Sequence, residues 1–171
     1  QVIAGALFDV PAGMIRLDVA FEDKIRLCGY ALTADEALRS GDELVLRLCW
    51  QPSQPLERDY SFFVHLVDPA GGLPLGQADK THPAGRYQIG EVIVDEYRLL
   101  LLPTTTAGRY ALLAGVYITL PDGGWQRLKT DEGRDTIPLT EVTVRSPDAP
   151  PVTTHPLRWI FAGGLRCLGV D

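Results

Sequence analysis

The stretch Asp59-Tyr60-Ser61-Phe62-Phe63-Val64-His65-Leu66-Val67-Asp68 is an apolar, aromatic and β-branched run with an acidic residue at each end. Such a run predicts a strand that is buried on both faces. Strand side chains alternate with a period of two, so the run divides into two rows. One row is Tyr60, Phe62, Val64 and Leu66, and the other is Ser61, Phe63, His65 and Val67. Neither row is polar, and we therefore expect the central strand of a sandwich.

The rest of the chain supplies further alternating segments that are separated by turn residues. About nine strands are predicted, at residues 16–21, 25–34, 43–50, 59–68, 73–77, 91–102, 109–120, 125–128 and 137–144. This pattern predicts an all-β fold, an antiparallel β-sandwich of the immunoglobulin-like or jelly-roll type. An up-and-down barrel is the alternative.

Several finer expectations follow from the same patterns. We expect one core to hold seven residues: Leu46, Leu48, Trp50, Phe62, Val64, Leu112 and Val116. In the second strand, strict alternation puts Tyr30 on the same face as Cys28. Residues 35–41 suggest one helical turn, and residues 79–90, which show no periodicity, suggest a long loop.

The chain divides into four parts on composition. Residues 1–15 read as a lead-in or linker and residues 16–145 as the sandwich domain. Residues 146–156 are rich in proline, which is typical of a semi-rigid spacer. Residues 157–171 are interpreted as the possible start of a second sandwich repeat. Because the chain begins with Gln and shows no signal peptide, we expect a piece of a longer protein.

The interpretation as a repeat rests on an internal echo. The segment Phe161 to Gly169 matches the segment Phe21 to Gly29, with Phe, Arg and Gly identical in register. An offset of 140 residues separates Phe21 from Phe161, which is the span of one domain plus a linker. The alternatives are chance similarity, or a tail that is an integral strand of the first domain.

Composition limits the classes of function. The formal net charge is −6, which gives no general attraction for nucleic acid or for anionic membranes. The longest apolar runs, such as residues 99–102, are much shorter than the roughly 20 residues of a membrane-spanning helix. We therefore expect no nucleic-acid partner and no direct membrane insertion by this fragment.

The three cysteines, Cys28, Cys49 and Cys167, are too few for a disulfide framework and too scattered for a zinc site. All three lie in apolar, strand-like surroundings. Buried free thiols are the favoured interpretation. A bridge between Cys28 and Cys49 is the alternative.

No catalytic constellation can be recognised in the sequence, and no metal or other cofactor is predicted. Five residues are candidate binding residues: His65, Asp68, Asp79, His82 and Trp125. We expect the first four to converge near a strand end and the long loop, as a sugar-contact or metal cluster. Trp125 follows an exposed hairpin and offers a platform for stacking. His65 taken alone is more typical of a core histidine.

The sequence also resembles a known bacterial module. The resemblance rests on Phe21 to Tyr30, Gly41-Asp42 leading to Leu48-Cys49-Trp50-Gln51, Asp59 to Asp68, Gln77 with Asp79, Pro83 with Gly85, and Gly108-Arg109-Tyr110 through Gly115-Val116-Tyr117. These motifs are similar to those of β-sandwich domains that follow the membrane portion of bacterial dolichyl-phosphate-mannose-type glycosyltransferases. The resemblance covers roughly residues 21–144.

The resemblance implies a noncatalytic accessory or interaction domain on the extracytoplasmic face of the cell membrane. Its partners would be the parent membrane domain or a neighbouring sandwich repeat. A carbohydrate-binding module with a glycan partner is the second class of function that stays open. A free-standing hydrolase is the third, and it would need a deep polar pocket.

Overall fold

The computed structural model describes residues 9–33 and 38–145 in full, together with the backbone of residues 155–160 and 166–170. The described residues form twelve strands and no helix: β1 (Ile15–Phe21), β2 (Ile25–Thr33), β3 (Leu38–Arg39), β4 (Glu43–Pro52), β5 (Tyr60–Val67), β6 (Gly76–His82), β7 (Ile93–Leu100), β8 (Gly108–Thr119), β9 (Trp125–Arg127), β10 (Ile137–Arg145), β11 (His155–Ile160) and β12 (Arg166–Val170).

Two sheets form a β-sandwich, as the sequence predicted. The first sheet has the strand order β1-β2-β4-β7. The second has the order β3-β10-β8-β5-β6, and β9 pairs with β8 beyond this path. All pairings in these sheets are antiparallel except that between β3 and β10. Two separate sheets exclude the barrel alternative.

The core lies between the two sheets. All seven residues predicted for it are fully buried: Leu46, Leu48, Trp50, Phe62, Val64, Leu112 and Val116. The indole of Trp50 lies 4.6 Å from the ring of Phe62, centroid to centroid, which joins the two layers. Strand β5 is an interior strand between β8 and β6. Its backbone needs a partner on each edge, and its two apolar rows need packing on both faces.

The face of Tyr30 was predicted wrongly. The pairing of β2 with β4 shifts by one residue between Leu27 and Gly29. This bulge reverses the alternation of side chains. Tyr30 therefore packs in the core, and its hydroxyl donates to the carbonyl oxygen of Leu139 at 3.0 Å.

Cys28 and Cys49 form a disulfide on the outer face of the first sheet, so the expectation of free thiols was wrong for this pair. Their Cα atoms lie 5.3 Å apart on the neighbouring strands β2 and β4, within the range that a bridge requires. Both residues are buried, and Val10 and Met14 of the lead-in pack against them. The lead-in is therefore attached to the sandwich from Val10 onwards.

Two local predictions differ from the structure. Strand β6 covers Gly76–His82, whereas a short strand at 73–77 and a loop from residue 79 were expected. Of the expected helical turn, residues 34–37 lie outside the described residues, and Leu38–Arg39 is a strand. Both strands lie at sheet edges, where pairing with a neighbour stabilises the extended backbone without an apolar pattern.

Strands β11 and β12 form a two-stranded antiparallel sheet of their own. Strand β11 begins at His155, inside the segment expected to be a spacer. The side chains of both strands lie outside the described residues, as do residues 146–154.

Candidate functional site

The outer face of the second sheet carries a group of polar and aromatic side chains. On β5 the outward row includes Phe63 and His65, and on β6 it includes Gln77 and Asp79. Phe63 is paired with Asp79 across the two strands, and His65 with Gln77. Side chains directly opposite each other on one face come into contact, so these four side chains form one patch.

Strand β9 builds a wall beside this patch. It pairs with the end of β8, which places Arg127 opposite Tyr117 and Trp125 opposite Thr119. Gly123 has a φ of 83° in the tight turn between the two strands, a conformation that suits glycine. Trp125 is 64% exposed, which is unusual for an indole.

The wall and the patch flank an open cavity of about 300 Å³. Its lining consists of Phe63, His65, Gln77, Asp79, Tyr117, Trp125 and Arg127. Three aromatic rings, one imidazole, one carboxylate, one amide and one guanidinium thus face the same space.

The floor of the cavity depends on a glycine. Phe63 lies opposite Gly115 of β8, and its ring covers the bare backbone there. A Cβ atom at Gly115 would lie 2.6 Å from Cε1 of Phe63 and 2.9 Å from the carbonyl oxygen of Asp135. Any other residue would therefore displace the ring from the floor.

Arg127 is held in place by two rings and a carboxylate. Its guanidinium carbon lies 4.8 Å from the ring centroid of Phe63 and 5.4 Å from that of Trp125. A nitrogen of the same group forms an ion pair with Asp135 at 3.3 Å. Stacking and pairing together fix this side chain between the floor and the wall.

Asp79 is the acceptor of the site. The hydroxyl of Tyr117 donates to its Oδ2 atom at 2.9 Å, while the carboxylate remains exposed at the rim. Burial raises the pKa of Tyr117, with contributions from Asp79. The hydroxyl thus stays protonated at neutral pH and orients the carboxylate.

His65 is neutral at neutral pH. Burial lowers its pKa below the ordinary value, Arg127 lowers it further, and Asp79 acts in the opposite direction. Its ring lies 4.6 Å from that of Phe63, centroid to centroid. A neutral imidazole offers one donor and one acceptor to a ligand.

Three of the five predicted binding residues, His65, Asp79 and Trp125, line this cavity. The expected convergence with Asp68 and His82 does not form. Asp68 lies in the turn after β5, where its carboxylate accepts a hydrogen bond from the backbone N–H of Ala70 at 2.8 Å.

His82 lies on the opposite face of β6, inside the sandwich. Its Nε2 atom is 2.8 Å from Oδ2 of Asp95 on β7, and its Nδ1 atom is 2.9 Å from the hydroxyl of Tyr87. Tyr97 also donates to Asp95, at 3.3 Å. The pKa values of Tyr87 and Tyr97 are both raised, mainly because of burial. Since β6 and β7 are edge strands of different sheets, this network joins the two layers at one side of the sandwich.

The sequence analysis missed four residues of the cavity: Phe63, Gln77, Tyr117 and Arg127. Their outward direction was readable from the alternation, but their proximity depends on the order β9-β8-β5-β6, which local patterns do not give. Gly115 opposite Phe63 is the one additional signal, because glycine inside a strand often marks a close approach.

Within the described part of the chain, no group of three or more His, Cys, Asp or Glu side chains is arranged to hold a metal ion. That part also contains no helix that is long and apolar enough to cross a membrane.

Comparisons with known proteins give a likeness at the level of fold. No protein-family model and no curated protein matches the chain. Among solved structures, the C-terminal domain of Wzt is similar, with a TM-score of 0.55 and 12% sequence identity. The match covers 79% of this chain and 80% of that one. At this identity the likeness shows the fold alone, a β-sandwich.

Proposed function

We propose that this chain is a noncatalytic glycan-binding domain and that the cavity on its second sheet is the binding site. The observation that carries the proposal is the exposed indole of Trp125 beside a cavity that also presents Asp79, Gln77 and His65. A pyranose ring has an apolar C–H face and a rim of hydroxyl groups. An aromatic platform next to convergent polar side chains matches both features.

The size of the cavity suggests a short segment of glycan. Its volume of about 300 Å³ lies at the lower end of the range of small-molecule sites. Asp79 and Gln77 are exposed at one side and Trp125 at the other. A longer chain can therefore extend over the rim while one or two sugar rings occupy the cavity.

Trp125→Ala tests the proposal on the full chain. The wild type is titrated with a panel of soluble oligosaccharides in a calorimeter, and the variant is titrated with those that bind. We expect a loss of affinity of about fivefold or more, because the stacking of a ligand ring on an aromatic side chain, measured for nucleobases, is worth about 1–3 kcal/mol and 1.4 kcal/mol is about tenfold in affinity. Leu73→Ala is the control, since Leu73 is 88% exposed and lies outside the cavity.

Two results would contradict the proposal. One is that no member of a broad panel binds at millimolar concentration. The other is that Trp125→Ala binds as tightly as the wild type and the control variant Leu73→Ala do. The melting temperature should stay nearly unchanged in both variants, because substitutions of exposed residues usually alter stability by at most about 0.5 kcal/mol.

We further propose that the domain is an accessory part of a membrane glycosyltransferase and lies on the extracytoplasmic side. The resemblance described above is the source of this idea. The disulfide Cys28–Cys49 supports the compartment, because stable disulfides are typical of oxidising environments. The similar structure is itself a C-terminal domain, so the same fold occurs as an appendage of a larger protein.

The state of the cysteines in cells tests the compartment. Cells that express the parent protein are quenched with acid, and free thiols are then labelled with a maleimide that adds mass. We expect Cys28 and Cys49 to be protected before reduction and labelled after it. Full labelling without reduction would argue against an oxidising compartment. The link to a glycosyltransferase is tested by searching the parent reading frame for membrane-spanning segments. Their presence would support the link, and their absence would contradict it.

The hydrolase alternative is not favoured by the one relay-like arrangement among the described residues. His82 lies between the Asp95 carboxylate and the Tyr87 hydroxyl, which resembles an acid–base–hydroxyl series. However, His82 and Asp95 are only 6% and 5% exposed, and the ring of His82 stacks on Phe62. A substrate cannot reach them, so the network is structural.

A further inference from the structure

We infer that the cavity selects uncharged sugars and rejects acidic ones such as uronic acids. This inference rests on the proposed function and adds the chemical class of the ligand. It follows from the balance of charges around the cavity.

Among the described residues that line the cavity one is a cation, Arg127, and its charge is compensated. Arg127 is paired with Asp135 at 3.3 Å and packed between two rings, so its charge is already satisfied. Asp79 differs, because its contact at 2.9 Å is the neutral hydroxyl of Tyr117. His65 is uncharged at neutral pH.

The cavity and its ion pair therefore carry a net negative charge at neutral pH. Two carboxylates about 6 Å apart near a protein surface repel each other enough to weaken binding by roughly tenfold or more. A sugar hydroxyl, by contrast, donates to the exposed carboxylate of Asp79. The same group that recognises a neutral sugar thus excludes its acidic counterpart.

Matched pairs of methyl glycosides test the selectivity: glucose with glucuronate, galactose with galacturonate and mannose with mannuronate. In the pair that binds best we expect the neutral member to bind at least tenfold more tightly at low salt. The preference should shrink at 0.5 M salt, where charges are screened over a few ångströms. Asp79→Asn keeps an acceptor oxygen but removes the charge, and we expect it to reduce the preference to about threefold or less.

The outcomes separate the two proposals. Equal or tighter binding of the acidic member would overturn the selectivity and show that Arg127 receives a carboxylate, while glycan binding itself would stand. An unchanged preference in Asp79→Asn would also overturn it. If no member of any pair binds, and the oligosaccharide panel fails as well, the proposed function fails together with the selectivity.

An independent observation carries a second inference: the hairpin β11–β12 is a second copy of the hairpin β1–β2. In the first hairpin Ile15, Arg16, Val19 and Ala20 pair with Tyr30, Gly29, Leu27 and Arg26. In the second hairpin His155, Pro156, Trp159 and Ile160 pair with Val170, Gly169, Cys167 and Arg166. Each residue of the second set lies 140 positions after its counterpart.

The irregularity is repeated as well. The register shifts between Arg16 and Val19 in β1, and between Pro156 and Trp159 in β11. Unrelated hairpins have no reason to share both a register and a bulge, since bulges are specific features of a family. We infer that the second hairpin opens another sandwich of the same design.

A glycine supports this correspondence. A Cβ atom at Gly29 would lie 2.9 Å from the carbonyl oxygen of Ile15, so the first hairpin requires glycine there. The counterpart of Gly29 is Gly169. The counterpart of Cys28 is Leu168, so the second copy is not expected to carry an equivalent of the Cys28–Cys49 bridge.

A swap within the full chain tests the second inference. Residues 15–30 are replaced by the sequence of residues 155–170 in a Cys49→Ala background, and the reference is Cys28→Ala/Cys49→Ala. The control inserts residues 156–171 instead, which slips the register by one and turns every side chain to the wrong face. We expect the swapped chain to melt cooperatively within about 10 °C of the reference. If the swapped and slipped chains are equally unstable, the hairpins are not equivalent.

Discussion

Breaking the bridge between Cys28 and Cys49 should lower the stability of the sandwich by about 3 kcal/mol. The two residues are separated by 21 positions in the sequence. Closing a loop of that size removes about 11 cal/mol/K of entropy from the unfolded chain, which is about 3.3 kcal/mol at 25 °C. For a domain of this size such a loss lowers the melting temperature by about 7–13 °C.

The assay compares the wild type with Cys28→Ala/Cys49→Ala in urea denaturation and thermal melts. Cys167→Ala is the matched control, because it removes a thiol and leaves the bridge intact. Reduction of the wild type with dithiothreitol gives a second route to the open form without removing side chains. A thiol titration of the denatured, unreduced chain should find one free thiol from its three cysteines.

Two results would refute this reasoning. Three free thiols in the unreduced chain would mean that no bridge forms. If the free energy of unfolding of the double variant falls by less than about 1 kcal/mol, the bridge does not restrict the unfolded chain. The other explanation would be that strain in the folded state offsets its effect.

The remaining predictions concern the core, the floor of the cavity and pH. Trp50→Ala should cost about 3–5 kcal/mol in urea denaturation, the usual range for a large buried aromatic residue, and a loss below about 1 kcal/mol would contradict its full burial. Gly115→Ala should cost about 1–3 kcal/mol and abolish glycan binding, because the added methyl group displaces Phe63; unchanged binding would show that the floor tolerates it. Since burial lowers the pKa of His65, its contribution to stability should be complete above pH 6.5 and be lost as the pH falls towards its folded-state pKa. His65→Gln should therefore make the free energy of unfolding depend less steeply on pH. Equal dependence in the wild type and the variant, measured by denaturation between pH 7.5 and 5, would contradict this prediction.

Much of the fold was predictable because side-chain alternation is a local property. Strands β4 and β5 and the seven core residues follow from apolar residues at every second position. Strand β6 was not predictable in this way, because Gln77, Asp79, Lys80 and Thr81 give it no apolar row. Its backbone is extended because all of its residues pair with β5, from Tyr60 to Leu66.

The candidate site was predictable only in part. Trp125 was recognised because a turn signal directly precedes it, and His65 and Asp79 were named for their chemistry. His82 was grouped with them because it is near in sequence, yet it lies on the opposite face of the same strand. Two residues that lie an odd number of positions apart on a strand point to opposite faces of the sheet, however close they are in sequence.

The sequence by itself determined the strands that carry apolar rows and, outside the bulge in β2, which of their side chains share a face, because both depend on neighbours within a few residues. The edge strands β3 and β6 depend instead on pairing with a neighbouring strand. The tertiary structure alone decided which strands lie side by side. That order brings Cys28 to Cys49, Phe63 to Gly115 and Trp125 to the patch on β5 and β6. The physical reason is that strand pairing joins residues that are distant in sequence through backbone hydrogen bonds, which are the same for every side chain and leave no local pattern.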